Sequence, residues 1–121
     1  MNIIISNTSG KPIYQQIYDS LSAQIIKGEL PGDTCLPPIR TIAKELRISI
    51  ITVKRAWEEL EHSGLIYSIQ GKGCFVAQHA TEELDLKRYE TTISKLKKDI
   101  EYYKSIGITK KEIIDLISKY Y

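Results

Sequence analysis

The sequence predicts a mainly α-helical fold with one small β-hairpin, three helices ahead of the hairpin and two behind it. Three observations carry this. Apolar residues recur at helical spacing in five stretches. Helix-starting residues (Pro12, Pro38, Ser49, Thr109) and glycine stops (Gly28, Gly64, Gly107) bracket those stretches. Between Gly64 and Ala77 the pattern changes to two short β-type runs around a glycine-flanked turn.

Residues 1–11 contain Thr8-Ser9-Gly10, a turn-forming cluster, and read as an arm outside the core. Pro12 suits the first position of a helix, where its missing N–H would have no partner anyway. Ile13, Ile17, Leu21 and Ile25 follow at spacing four, flanked by Tyr14 and Tyr18, and Lys27-Gly28 ends the run. Pro31-Gly32-Asp33 makes the next stretch a loop. Pro38 opens a second, brief helix, whose Ile39, Ile42, Ala43 and Leu46 share one face. Arg47-Ile48-Ser49 reads as a tight turn, with Ser49 placed to accept a hydrogen bond from the free N–H groups of a third helix. There Val53, Ala56, Trp57 and Leu60 form the buried face. Residues 65–69 and 73–77 then pair across Gln70-Gly71-Lys72 as a hairpin.

The remaining residues change character. Leu86, Tyr89, Ile93, Leu96, Ile100 and Tyr103 alternate spacings of three and four, the a/d rhythm of a coiled-coil-like seam. Gly107 breaks that helix, and Thr109-Lys110-Lys111-Glu112 matches a capping box for a last one. Its apolar face is Ile113, Leu116, Ile117 and Tyr120. The expected organisation is residues 1–78 as one domain, with 1–11 as its arm, and 79–121 as a two-helix segment.

Composition narrows the function classes. A length of 121 residues holds one compact domain and an appendage. No apolar run reaches membrane-spanning length, and Met1-Asn2-Ile3-Ile4-Ile5 lacks the basic start of a secretion signal, so a cytoplasmic protein is expected. Cys35 and Cys74 lie far apart with no CxxC partner and read as free thiols. The net charge is +2. Residues 1–78 carry eight Lys/Arg against seven Asp/Glu, and 79–121 carry nine against eight. Gross charge therefore does not argue for nucleic-acid binding; only charge placement can.

Helix, short helix, turn, helix and hairpin is the order of a winged helix-turn-helix. Its residues also carry a resemblance. Gly32, Leu36-Pro37, Ile39-Arg40, Ile42-Ala43, Leu46, Ile48-Ser49, Thr52-Val53, Ala56, Leu60, Gly64-Leu65, Gly71-Lys72-Gly73 and Phe75-Val76 resemble the DNA-binding domain of the GntR family of bacterial regulators. Pro12 to Ile17, together with the short two-helix segment, is similar to the YtrA-type branch. The resemblance implies that this segment dimerises; the a/d row Leu86, Tyr89, Ile93, Leu96, Ile100 and Tyr103 is the expected seam, which could instead pack tail helix on tail helix within one chain. The resemblance also implies repression, often of an operon encoding an ABC transporter, from a palindromic double-stranded operator.

The residues themselves agree. A helix-turn-helix puts the start of its second helix in the major groove. With Val53, Ala56, Trp57 and Leu60 turned inward, Ile50, Ile51, Thr52, Lys54 and Arg55 are left outward behind the Ser49 cap. Lys54 or Arg55 could read guanine or hold phosphate, and Thr52 could do either; Arg55 lies nearer the core edge. The resemblance adds Arg40 as a DNA contact and puts Gly71-Lys72 at the minor groove. Arg40 could instead neutralise a nearby carboxylate, and Lys72 sits where Gly-Lys-Gly is common for conformational reasons alone. Two positions depart from the family: Ile50 stands where an arginine is usual, and Cys74 where a small polar residue is. Losing that arginine removes a bidentate guanine contact, so Ile50 or Ile51 is expected to pack on thymine methyls at an A·T-rich step.

Catalysis is not expected. The only histidines are His62 and His79, and no nucleophile-elbow, phosphate-loop or HExxH pattern is present. The aminotransferase-like domain of the related MocR branch needs a far longer chain. Cys35, Cys74 and His79 have no metal-ligand spacing, so no metal and no cofactor is expected. The sequence identifies no small-molecule effector. The near-neutral charge keeps a second class in view, a winged helix used for protein binding.

Overall fold

The computed structural model describes residues 1–79 and 81–121. The elements are α1 (Ile13–Ile26), α2 (Ile39–Leu46), α3 (Ile50–His62), β1 (Ile66–Ile69), β2 (Gly73–Val76), α4 (Thr81–Ser105) and α5 (Lys110–Tyr120). The chain forms two compact units, Met1–Asp85 and Leu86–Tyr121.

In the first unit the three apolar helix faces converge. Ile17, Leu21 and Ile25 of α1 meet Ile42 and Ala43 of α2 and Val53, Ala56, Trp57 and Leu60 of α3. Leu30, Leu36, Leu65, Ile66 and Val76 close the core from the loops and the hairpin. Pro12 stands one position earlier than the sequence suggests, and Pro38 stands equivalently at the start of α2. Pro12 and Pro38 have extended ψ values of 146° and are N-caps rather than first helical residues. Their carbonyls start the helices: Pro12 O accepts from the Gln16 N–H at 3.2 Å and Pro38 O from the Ile42 N–H at 3.1 Å. Ser49 caps α3 as expected, its Oγ accepting from the Thr52 N–H at 3.2 Å. Between α2 and α3 the turn is made by Arg47, a left-handed residue at φ 56°, which lets the Ile48 N–H reach Ala43 O at 3.0 Å.

Two segments are more structured than their composition indicates. Ile3 and Ile5 of the arm pack against the core. The arm is held along α1 by two glutamine amides, each bonding backbone in both directions. Gln24 accepts from the Asn2 N–H at 3.1 Å and donates to Asn2 O at 2.7 Å. Gln16 accepts from the Ser6 N–H at 2.8 Å and donates to Ser6 O at 2.9 Å. Polar turn formers in residues 6–10 hide this packing from a composition-based reading.

The stretch after Pro31 is likewise a third edge to the hairpin. β1 and β2 pair antiparallel with Ile66 opposite Val76 and Tyr67 opposite Phe75. Cys35 bridges Phe75, Leu36 N–H bonds Cys74 O at 2.8 Å, and Val76 N–H bonds Thr34 O at 2.9 Å. Gly32 enters this edge so closely that an added Cβ would lie 2.9 Å from the Gln78 Cα. Gly32→Ala is therefore expected to cost ~1–3 kcal/mol through overpacking against backbone, read as a lower urea midpoint at unchanged slope.

In the second unit Gly107, at φ 82°, turns the chain between α4 and α5. Thr109 Oγ1 accepts from the Glu112 N–H at 3.2 Å, the threonine half of the expected capping box. No residue of α5 is buried.

Candidate nucleic-acid interface

Three parts of the first unit carry the candidate contacts. The first is the start of α3. Ser49 and Thr52 join hydroxyls at 2.6 Å and fix the first turn, so Thr52 spends its side chain largely on the cap and is half-buried. Ile50, Ile51, Lys54 and Arg55 are exposed around that turn. The second is Arg40, exposed in the first turn of α2. The third is the hairpin tip, where Gly71 at φ 78° and Gly73 at φ 116° flank the exposed Lys72, whose N–H bonds Ile69 O at 2.9 Å.

Charge is sorted along α3. Its cations, Lys54 and Arg55, are in the N-terminal half, while Glu58, Glu59 and Glu61 are exposed in the C-terminal half. A polyanion is attracted to the first end, where the helix dipole is also positive, and repelled from the second. Among the described residues, Arg40, Lys54 and Lys72 take part in no ion pair, whereas Lys11 pairs with Asp19 and Lys95 with Asp99. The alternative in which Arg40 neutralises a carboxylate of the same chain therefore has no partner here.

Arg55 is placed differently from its neighbours. Its guanidinium lies 3.8 Å from the centre of the Tyr14 ring, a close cation–π stack between α3 and the first turn of α1. Sequence periodicity marks Tyr14 only as a flank of the α1 face, and nothing in one dimension pairs it with Arg55. The stack ties the guanidinium to α1. Tyr14→Leu is expected to weaken binding to all duplex sequences alike, by about two- to fivefold, the size of an exposed cation–π contact. Parallel anisotropy titrations on specific and random duplexes measure this.

The remaining candidate side chains do other work. Cys35 and Cys74 are both free thiols, as expected. Cys35 is in register with Phe75, so it and the adjacent Cys74 project from opposite faces of the edge. His79 bonds Gly64 O through Nε2 at 3.1 Å and Glu83 through Nδ1 at 3.1 Å, tying the end of α3 to the first turn of α4. Tyr67 donates to Asp33 Oδ1 at 2.7 Å; this hydrogen bond, with the nearby negative charge, holds the phenol above the ordinary tyrosine range.

The second unit has no polar site of comparable definition. Leu86, Tyr89, Ile93, Leu96 and Ile100 are exposed along α4, with Tyr103 half-buried at its end. An open apolar groove of about 850 Å³ runs between the end of α4 and α5, lined among others by Leu96, Ile100, Tyr103, Ile113, Leu116 and Ile117.

A capped helix-turn-helix with a basic leading end, followed by a hairpin with a cation at its tip, defines the first unit as a winged helix-turn-helix of the DNA-binding class. No helix of the described residues is long and apolar enough to cross a membrane. The chain belongs to the GntR family: the family described as "Bacterial regulatory proteins, gntR family" matches residues 13–76. It is 33% identical over 113 residues to the uncharacterized HTH-type transcriptional regulator YhcF of Bacillus subtilis, covering 93% of this chain and 92% of that one. It is 35% identical over 83 residues to the B. subtilis repressor YtrA, covering 68% of this chain and 63% of YtrA. These likenesses make it a regulator of the YtrA type. Among solved structures, a transcriptional antiterminator from Listeria monocytogenes superposes with TM-score 0.76 at 31% identity, covering 99% of this chain and 90% of that one. The DNA-binding domain of AraR, solved in complex with operator ORX1, superposes with TM-score 0.56 at 28% identity, over 64% of this chain and 96% of that one.

Proposed function

We propose that the protein is a cytoplasmic transcription repressor that binds a palindromic operator as a homodimer. Residues 1–78 contact DNA and 79–121 hold the two copies together. The observation that carries this reading is the sorting of charge on α3, with Lys54 and Arg55 at the capped end and Glu58, Glu59 and Glu61 behind them. Such a helix favours one approach to a duplex, N-terminal end first, which is how a recognition helix enters the major groove. Arg40 from α2 and Lys72 from the wing, neither of them engaged within the chain, then reach the backbone and the adjacent minor groove.

The homodimer is supported by the apolar row on α4, since a run of large exposed apolar residues at a/d spacing is the pattern of an unpaired coiled-coil seam. Two-fold symmetry in the protein is mirrored in its site, with half-sites about one helical turn apart. Repression follows from occupancy of a site that polymerase needs, and an ABC-transporter operon is the target that the YtrA likeness suggests. Selection of binding sites from random duplex DNA by the whole chain tests the reading. A two-fold symmetric consensus is expected; enrichment of a single asymmetric half-site, or of nothing, contradicts it.

A further inference from the structure

We propose that α3 reads thymine through its C5-methyl group, with Ile51 as the contacting side chain and Ile50 beside it. The operator step facing Ile51 is then an A·T pair; this rests on the DNA-binding reading above.

Ile51 is 79% exposed and Ile50 40% exposed, and neither is among the buried residues of the core. At that exposure the Ile51 side chain adds little to the folded unit. Nor does helix propensity call for them, since isoleucine is a middling helix former. They are nevertheless held ready for a contact. The Ser49–Thr52 cap fixes the turn that carries them, and a β-branched side chain on a helix has essentially one χ1 rotamer. The tip of α3 is therefore a preset apolar surface.

The chemistry around that surface selects its target. Guanine is read best by a guanidinium fork aimed at its two acceptors. Arg55 lies one turn beyond Ile51 on the same side of α3, but its guanidinium is already stacked on the Tyr14 ring at 3.8 Å. Lys54 remains as a point charge. The thymine methyl is the one apolar group that base edges present in the major groove, so it is the group an exposed isoleucine can match there. A protein partner is disfavoured by the setting: the exposed cations Lys54 and Arg55 follow the isoleucine pair along α3 and complement a phosphate backbone.

The test removes the methyl from either side of the contact. Thymines of the selected operator are replaced one at a time by deoxyuridine, which keeps the pairing and deletes only the methyl group. At one step per half-site the whole chain is expected to lose roughly fourfold in affinity per methyl, or on the order of fifteenfold with both half-sites altered. Ile51→Ala, an exposed substitution that leaves the core intact, is expected to bind more weakly and to be indifferent to the same deoxyuridine. Ile51→Val is expected to keep most of the sensitivity. Equal sensitivity in Ile51→Ala, no deoxyuridine effect in the parent chain, or a required G·C pair at every step that α3 faces would each overturn the proposal while leaving DNA binding intact. A folded chain that enriches no sequence would overturn the DNA-binding reading itself, and this inference with it. Retention of a protein partner that is lost in Ile51→Ala, with no such enrichment, would identify the isoleucine pair as a protein-docking surface.

Discussion

Replacing Ile93 and Leu96 together by lysine is expected to give a monomer and to weaken operator binding by roughly 10²–10⁴-fold. Both residues lie exposed in the middle of the α4 row and contribute nothing to the core of the first unit. The winged helix should therefore keep its fold, seen as unchanged tryptophan fluorescence from the buried Trp57. What changes is association. Each isoleucine or leucine buried in a seam contributes ~1.5–3 kcal/mol, and a two-fold interface loses each of them twice. Two facing lysine pairs add repulsion. Without the dimer, two half-sites are bound independently, and the gain from tethering, on the order of 10²–10⁴-fold, is lost. Light scattering and anisotropy on one preparation measure both effects. A dimer of unchanged mass would refute the α4 seam.

The second large effect is expected from Arg40→Ala combined with Lys54→Ala. Neither side chain is committed to an ion pair within the chain, so their removal leaves no orphaned carboxylate and stability should be nearly unaffected. Each cation held against a phosphate releases counterions, and deleting it lowers the slope of log affinity against log salt by about 0.9. With two residues in two subunits, the slope should fall by roughly 3–4, and affinity at low salt by at least 100-fold. If only one of the two residues reads a base, its single variant will relax the consensus at one position; a phosphate contact will weaken all sequences equally.

The helices and the hairpin were legible in the sequence because each depends on near-neighbour chemistry. The spacing of Val53, Ala56, Trp57 and Leu60 dictates the buried face of α3, and Ser49 caps it by a bond to a residue three positions on. The Thr109 cap and the Gly107 turn are equally local. What the sequence concealed is long-range pairing. The arm looked irregular because its backbone is satisfied by Gln16 and Gln24 of α1 rather than by a strand partner. The isolated bridge at Cys35 was hidden by Pro31-Gly32-Asp33, whose turn chemistry is real but short. The outward residues of α3 were legible as a set, since they are the complement of the core face. Their individual roles were not: the Tyr14 stack that separates Arg55 from Lys54 exists only once α1 and α3 are packed together.

The most direct measurement of the central claim is a salt titration of the whole chain on the duplex that wins site selection, read by fluorescence anisotropy. Log affinity is expected to fall linearly with log salt with a slope of roughly −5 to −10, as Arg40, Lys54, Arg55 and Lys72 of two copies displace counterions from the backbone. A flat response, from a chain that is folded and dimeric, would contradict DNA binding by this surface.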